Sequence, residues 1–99
     1  MSNITKEAFL KQKISNFIIF IEKKIGKDNN IYKDFQTYSN DLNQFLQAMI
    51  QVSRLTNGTL TNENILKFLE IKGVNHKLCQ EDIVIINRYF TMFVKVLEN

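Results

Sequence analysis

Between about Leu78 and Leu97 the chain carries two apolar rows at helical spacing, and such a segment constrains everything packed around it. Cys79, Ile83, Ile86, Phe90, Phe93 and Leu97 follow one another in steps of three and four, the repeat that returns side chains to one side of an α-helix. Ile85, Tyr89, Met92 and Val96 form a second row beside the first. Glu81, Arg88, Thr91, Lys95 and Glu98 share the narrow polar strip that remains. A surface helix buries one apolar face. This helix needs cover on two sides, from its own domain or from another chain.

The upstream sequence supplies candidates for that cover. A first helix is expected to start at Asn3 or Thr5, either of which can accept hydrogen bonds from free backbone amides. Its stripe is Leu10, Ile14, Phe17 or Ile18, Ile21 and Ile25, widened by Phe9 and Phe20. Gly26, directly after Lys23, Lys24 and Ile25, suits a left-handed helix stop, with the lysines at the negative end of the helix dipole. After a turn at Lys27-Asp28-Asn29-Asn30, the residues Ile31, Phe35, Tyr38, Leu42, Phe45, Met49 and Val52 keep a heptad spacing. Ser39-Asn40 could cap a further helix and break this one, because both side chains compete for backbone hydrogen bonds, but the spacing favours one long second helix, continuous or kinked there. The positions between its stripes are Gln, Asn, Thr and Ser rather than paired Glu and Lys, which favours packing inside a bundle over a coiled-coil dimer.

Thr56-Asn57-Gly58-Thr59 reads as a loop. No alternating strands flank Asn57-Gly58, so it is expected to stop and reverse a helix rather than close a hairpin. Thr61 then caps a short helix through Ile65, Leu66, Phe68 and Leu69, closed by Gly73, and Val74 to Lys77 connects to the last helix. With no Pro, three Gly and eight Phe, the chain lacks the turn punctuation of a many-stranded β protein. The expected fold is all-α: a single domain over residues 1–99, a four-helix bundle of two long helices, one short helix and a long central C-terminal helix.

Charge and reactive groups narrow the functional classes. The net charge is +3, a value that permits an acidic partner without requiring one. Residues 1–33 hold seven Lys against Glu7, Glu22 and Asp28, whereas residues 34–66 hold only Arg54 against Asp34, Asp41 and Glu63. Lys6, Lys13 and Lys24 fall on one side of the first helix, either as a phosphate-facing strip or as an ordinary solvated face. Only Arg54 and Arg88 are arginines, and arginine is the side chain best suited to bidentate base or phosphate recognition. The one cysteine, Cys79, is expected as a small core residue of the apolar row in a reducing, cytoplasmic setting. His76 lies three residues before it, but a structural zinc site needs four good ligands and there is no other His or Cys. A cysteine nucleophile would need a polar, partly open pocket with a base. Neither metal nor cofactor is expected, and no enzymatic reaction or small-molecule substrate. The apolar run Phe17-Ile18-Ile19-Phe20-Ile21 is too short for a membrane span. Tyr32, Tyr38 and Tyr89 could stack on bases, but each lies on or beside an apolar stripe, where packing accounts for it.

Three segments together resemble the N-terminal SAM-like core-binding domain of phage integrases and other tyrosine recombinases: Tyr38-Ser39-Asn40-Asp41-Leu42-Asn43-Gln44-Phe45-Leu46, Leu60-Thr61-Asn62-Glu63-Asn64-Ile65-Leu66-Lys67-Phe68-Leu69, and Ile86-Asn87-Arg88-Tyr89-Phe90. The resemblance implies a DNA-binding module with Lys33, Lys67, Arg88 and Lys95 as phosphate contacts, of phage or mobile-element type. The sequence departs from that pattern on the outer side of the second helix, where Gln36, Thr37, Ser39, Asn40, Asn43 and Gln44 stand instead of basic residues. Duplex affinity comes largely from neutralising phosphates, so an uncharged face weakens the implication. The leading expectation is therefore a non-enzymatic protein-interaction module, an adaptor, an inhibitor or a self-associating chain. It would use the second row of the last helix (Ile85, Tyr89, Met92, Val96) and the edge of the second helix. The alternative is nucleic-acid binding through Lys6, Lys13, Lys24, Lys33, Lys67, Arg88 and Lys95.

Overall fold

Local hydrogen bonds decide where each helix begins and stops. The structure, a computed structural model, describes residues 5–55, 60–74 and 78–98. Asn3 as a helix start, the Thr56–Thr59 loop and His76 lie outside the described residues. Helix α1 (Lys6–Lys24) starts at Thr5, whose hydroxyl accepts from the Ala8 amide at 3.0 Å. It ends where the Gly26 amide reaches back to the Ile21 carbonyl at 3.1 Å, with Gly26 at φ 105°. Glycine takes that backbone conformation without steric cost. Helix α2 (Asn30–Tyr38) is capped by Asn29, whose side chain accepts from the Ile31 amide at 2.7 Å.

The expected long second helix is two helices, so among the described residues the bundle has five helices rather than four. Although the heptad spacing runs unbroken through residues 31–52, the backbone stops at Tyr38 and α3 (Leu42–Leu55) starts afresh. Asp41 is the reason. Its carboxylate accepts from the amides of Asn43 and Gln44 at 3.1 and 3.3 Å, so it caps α3. The Ser39 hydroxyl donates to the Gln36 carbonyl at 2.7 Å and so ties down the end of α2 rather than starting α3. The break lets Phe35 and Phe45 meet, with ring centroids 6.3 Å apart, instead of lying along one rod.

Helix α4 (Asn62–Ile71) is capped by Thr61, which accepts from the Asn64 amide at 3.1 Å. At its end Gly73, at φ 85°, donates to Glu70 at 3.0 Å, and buried Val74 donates to Leu69 at 2.8 Å. This pair of bonds with its apolar residue is a Schellman stop. Helix α5 (Gln80–Glu98) begins at Cys79, whose carbonyl accepts from Asp82 and Ile83. The Asp82 carboxylate in turn accepts from the Cys79 amide at 3.3 Å, the reach-back half of a capping box. Cys79 is exposed, contrary to the expected core position, because the residue that opens a helix is held by its backbone and its thiol is left outside.

The helices enclose one core. Helix α5 packs on α1, α3 and α4, while α2 bridges α1 and α3. Phe17 of α1 meets Phe35, Tyr89, Phe90 and Phe93, with centroids 4.7, 5.1, 5.6 and 6.1 Å away. Phe45 and Phe68 close the cluster edge-on against Phe93 and Phe90 at 5.1 and 5.5 Å. Edge-to-face rings at such distances add to the area they bury. Ile14, Ile21, Ile31, Ile65, Leu69 and Ile86 fill the space around them and are fully buried. Leu66, expected among the apolar positions of the short helix, is exposed.

Candidate docking surface on the last helix

The two apolar rows of α5 end in different surroundings. Ile83, Ile86, Phe90 and Phe93 are buried, whereas Ile85, Tyr89, Met92 and Val96 are only half-buried. Within the outer row, Tyr89 is the most engaged: its ring lies 5.1 Å from Phe17 and 6.4 Å from Phe20. Helix α1 thus covers one flank of the second row and leaves the other open. Two depressions mark the open side. One, of about 290 Å³, is lined by Ile85, Arg88, Tyr89 and Met92. The other, of about 530 Å³, runs between the start of α4 (Leu60, Asn62) and α5, where Val84, Met92 and Val96 supply apolar walls. Arg88 and Met92 belong to both. All four residues expected for a partner therefore line one continuous surface.

That surface is polar in a defined way. Asn87 donates to Asn62 at 2.8 Å and accepts from the Thr91 hydroxyl at 3.1 Å, a short ladder joining α4 to α5 in the larger depression. Arg88 and Lys95 are exposed at its rim, and none of its lining residues is a carboxylate. Glu63 and Glu81, exposed on neighbouring turns, lie outside the lining. The three ion pairs among the described residues, Lys11 with Glu7, Lys24 with Asp82 and Lys72 with Asp34, leave both rim cations unpaired.

The other cations named from the sequence are dispersed. Lys24 is held 3.4 Å from the Asp82 carboxylate, which joins the end of α1 to the start of α5. Burial pushes the Asp82 carboxyl up, but its bonds from Cys79 and the Lys24 ion pair outweigh that and leave it below the ordinary carboxylate value. Lys13 stands over the Phe9 ring at 5.4 Å. Lys6 lines a separate apolar hollow of about 380 Å³ with Leu10, Leu42, Phe45 and Leu46. Lys33 and Lys67 are exposed on α2 and α4. Of the seven, Arg88 and Lys95 line one depression on α5, while Lys6 and Lys13, also seven residues apart, lie on α1.

Sequence reasoning missed two features. Leu60, Asn62 and Asn87 form the far wall and the ladder of the larger depression, and nothing in their local pattern signals a contact spanning 25 residues. Leu46 and Ile50, one turn apart on α3, are 40% and 45% exposed; their spacing was visible, but their orientation follows from the break at Asp41. No group of three or more His, Cys, Asp or Glu among the described residues can hold a metal ion. Nor is any described helix long and apolar enough to cross a membrane. No protein-family model, no curated protein and no solved structure matches the chain.

Proposed function

We propose that the chain is a non-enzymatic protein-interaction module whose docking surface is the outer side of α5. The observation that carries this reading is the pair of open depressions meeting at Met92, lined by a half-buried row that no helix of the chain covers completely. Folding has brought these apolar groups to the surface, where burying them against a partner recovers the hydrophobic free energy that the bundle leaves unused. Nucleic-acid binding, the reading implied by the recombinase resemblance, draws less support. Its cations are scattered, Lys24 is committed to Asp82, and phosphate affinity grows with the number of cations that face one backbone.

Site-specific photocrosslinking tests the reading. A benzophenone amino acid at Val96, irradiated in cells of the source organism, is expected to give a covalent adduct with a partner polypeptide, while the same group at exposed Ile19 on α1 gives none. Adducts with nucleic acid, or equal adducts from both positions, would defeat it.

A further inference from the structure

The depressions on α5 carry information about the chemistry of what fills them. Arg88 and Lys95 are seven residues apart on one side of the helix, about 10 Å along its axis. Met92 and Val96 run beside them, and the ladder Asn62, Asn87 and Thr91 lies on the α4 side. The lining holds two cations and no carboxylate. An occupant that buries the apolar wall also lies against these cations, and electrostatic complementarity selects negative charge at the same two levels.

We infer that this groove docks an acidic, amphipathic helix of another protein, an inference that rests on the interaction reading above. The row from Ile85 to Val96 rises about 16 Å, the length of about three helical turns. A helix laid along it presents apolar residues at steps of three and four to Met92 and Val96. It places Asp or Glu about two turns apart, one opposite Arg88 and one opposite Lys95. A second copy of the chain meets these requirements poorly. Parallel pairing of two α5 helices sets Arg88 against Arg88 and Lys95 against Lys95, and antiparallel pairing about Met92 sets each Arg88 beside a Lys95. Either arrangement brings like charges together across an apolar seam, which disfavours it; antiparallel pairing shifted to centre on Arg88 would set Glu81 against Lys95, but it lays Val96 over Gln80, off the apolar row.

A displayed library of random peptides, each of about 16 residues or four helical turns, selected on the full chain, tests the inference. The variants are Arg88→Glu with Lys95→Glu, and separately Met92→Glu; thermal melts verify that each still folds. The expected peptides carry an apolar row and two acids about two turns apart. Their affinity, read by fluorescence anisotropy, falls at least about tenfold on the double charge reversal. Replacing the two acids with Lys in the peptide restores binding to the charge-reversed protein. Peptides without acids that are lost on Met92→Glu but bind the charge-reversed protein unchanged overturn the acidic partner and leave the docking surface standing. Peptides indifferent to both variants, or none recovered, overturn both. Displacement of the peptide by a DNA duplex of about 20 base pairs, abolished by the charge reversal and by salt, assigns the groove to nucleic acid and overturns the inference.

Discussion

The inner and outer rows of α5 are built from similar residues at the same spacing, and the bundle treats them differently. Ile83, Ile86, Phe90 and Phe93 are buried, with Phe90 and Phe93 held among the rings of Phe17, Phe35, Phe45 and Phe68. Ile85, Tyr89, Met92 and Val96 are half-buried, touched from one flank by α1 and open on the other. Apolar character therefore does not decide burial in this helix; the reach of the other four helices does. Short α2 and α3, folded back on each other at Asp41, concentrate their aromatic rings on the inner row and have nothing left for the outer one. What the bundle cannot cover is the surface we propose for docking.

Four changes would break or sharpen this contrast. Phe93→Ala removes a fully buried ring from the inner row and is expected to cost about 3–5 kcal/mol of unfolding free energy, read by urea or guanidinium denaturation. A cost near that of an exposed residue would mean that the two rows are not different in kind. Asp41→Ala removes the cap that starts α3 and loosens the corner over the inner row; about 1 kcal/mol is expected in the same measurement. If α2 and α3 fused into one helix instead, circular dichroism would show helicity gained.

Met92→Ala, at the centre of the outer row, is expected to cost about 1 kcal/mol or less, because the lost methylenes are only partly out of water. A loss as large as that of Phe93→Ala would make the outer row core and remove the motive for docking. The smallest effect is confined to alkaline pH. Tyr38 packs edge-on against Phe35 and Phe45 at 5.1 and 6.2 Å. Burial first, and the Asp34 carboxylate second, push its hydroxyl up to about 12. An unfolded tyrosine loses its proton near about pH 10. Between about pH 10 and about pH 12 the unfolded chain thus releases a proton that the folded chain keeps, and stability falls as pH rises. Below about pH 10 the contribution is intact. Tyr38→Phe should flatten that alkaline decline in melting temperature, and an unchanged slope would place the hydroxyl outside the corner.

Much of this architecture was legible in the residues. The caps Thr5 and Thr61 and the stops at Gly26 and Gly73 are local, each decided within one helical turn by a side chain or a glycine. The all-α class and the inner rows of α1, α4 and α5 follow from spacing, because apolar periodicity needs no knowledge of the partner surface. The sequence offers a break at Ser39-Asn40 without deciding for it and does not single out Asp41, because heptad spacing suits a continuous helix and a corner equally well. A carboxylate that bonds two amides then chooses the corner, and the packing of Phe35 on Phe45 rewards it. Cys79 was misplaced for a related reason: periodicity extends a row past the residue at which the helix begins.

The sequence by itself determined that α5 carries more apolar surface than one face can bury, and it named Ile85, Tyr89, Met92 and Val96. Only the tertiary structure decided which row the bundle covers, that Asn62 meets Asn87 across 25 residues, and that Arg88 and Lys95 line the groove these two asparagines close. The reason is physical. Spacing along one helix is fixed by 3.6 residues per turn, whereas which neighbour fills which side depends on loops, caps and the competition of all five helices for one core.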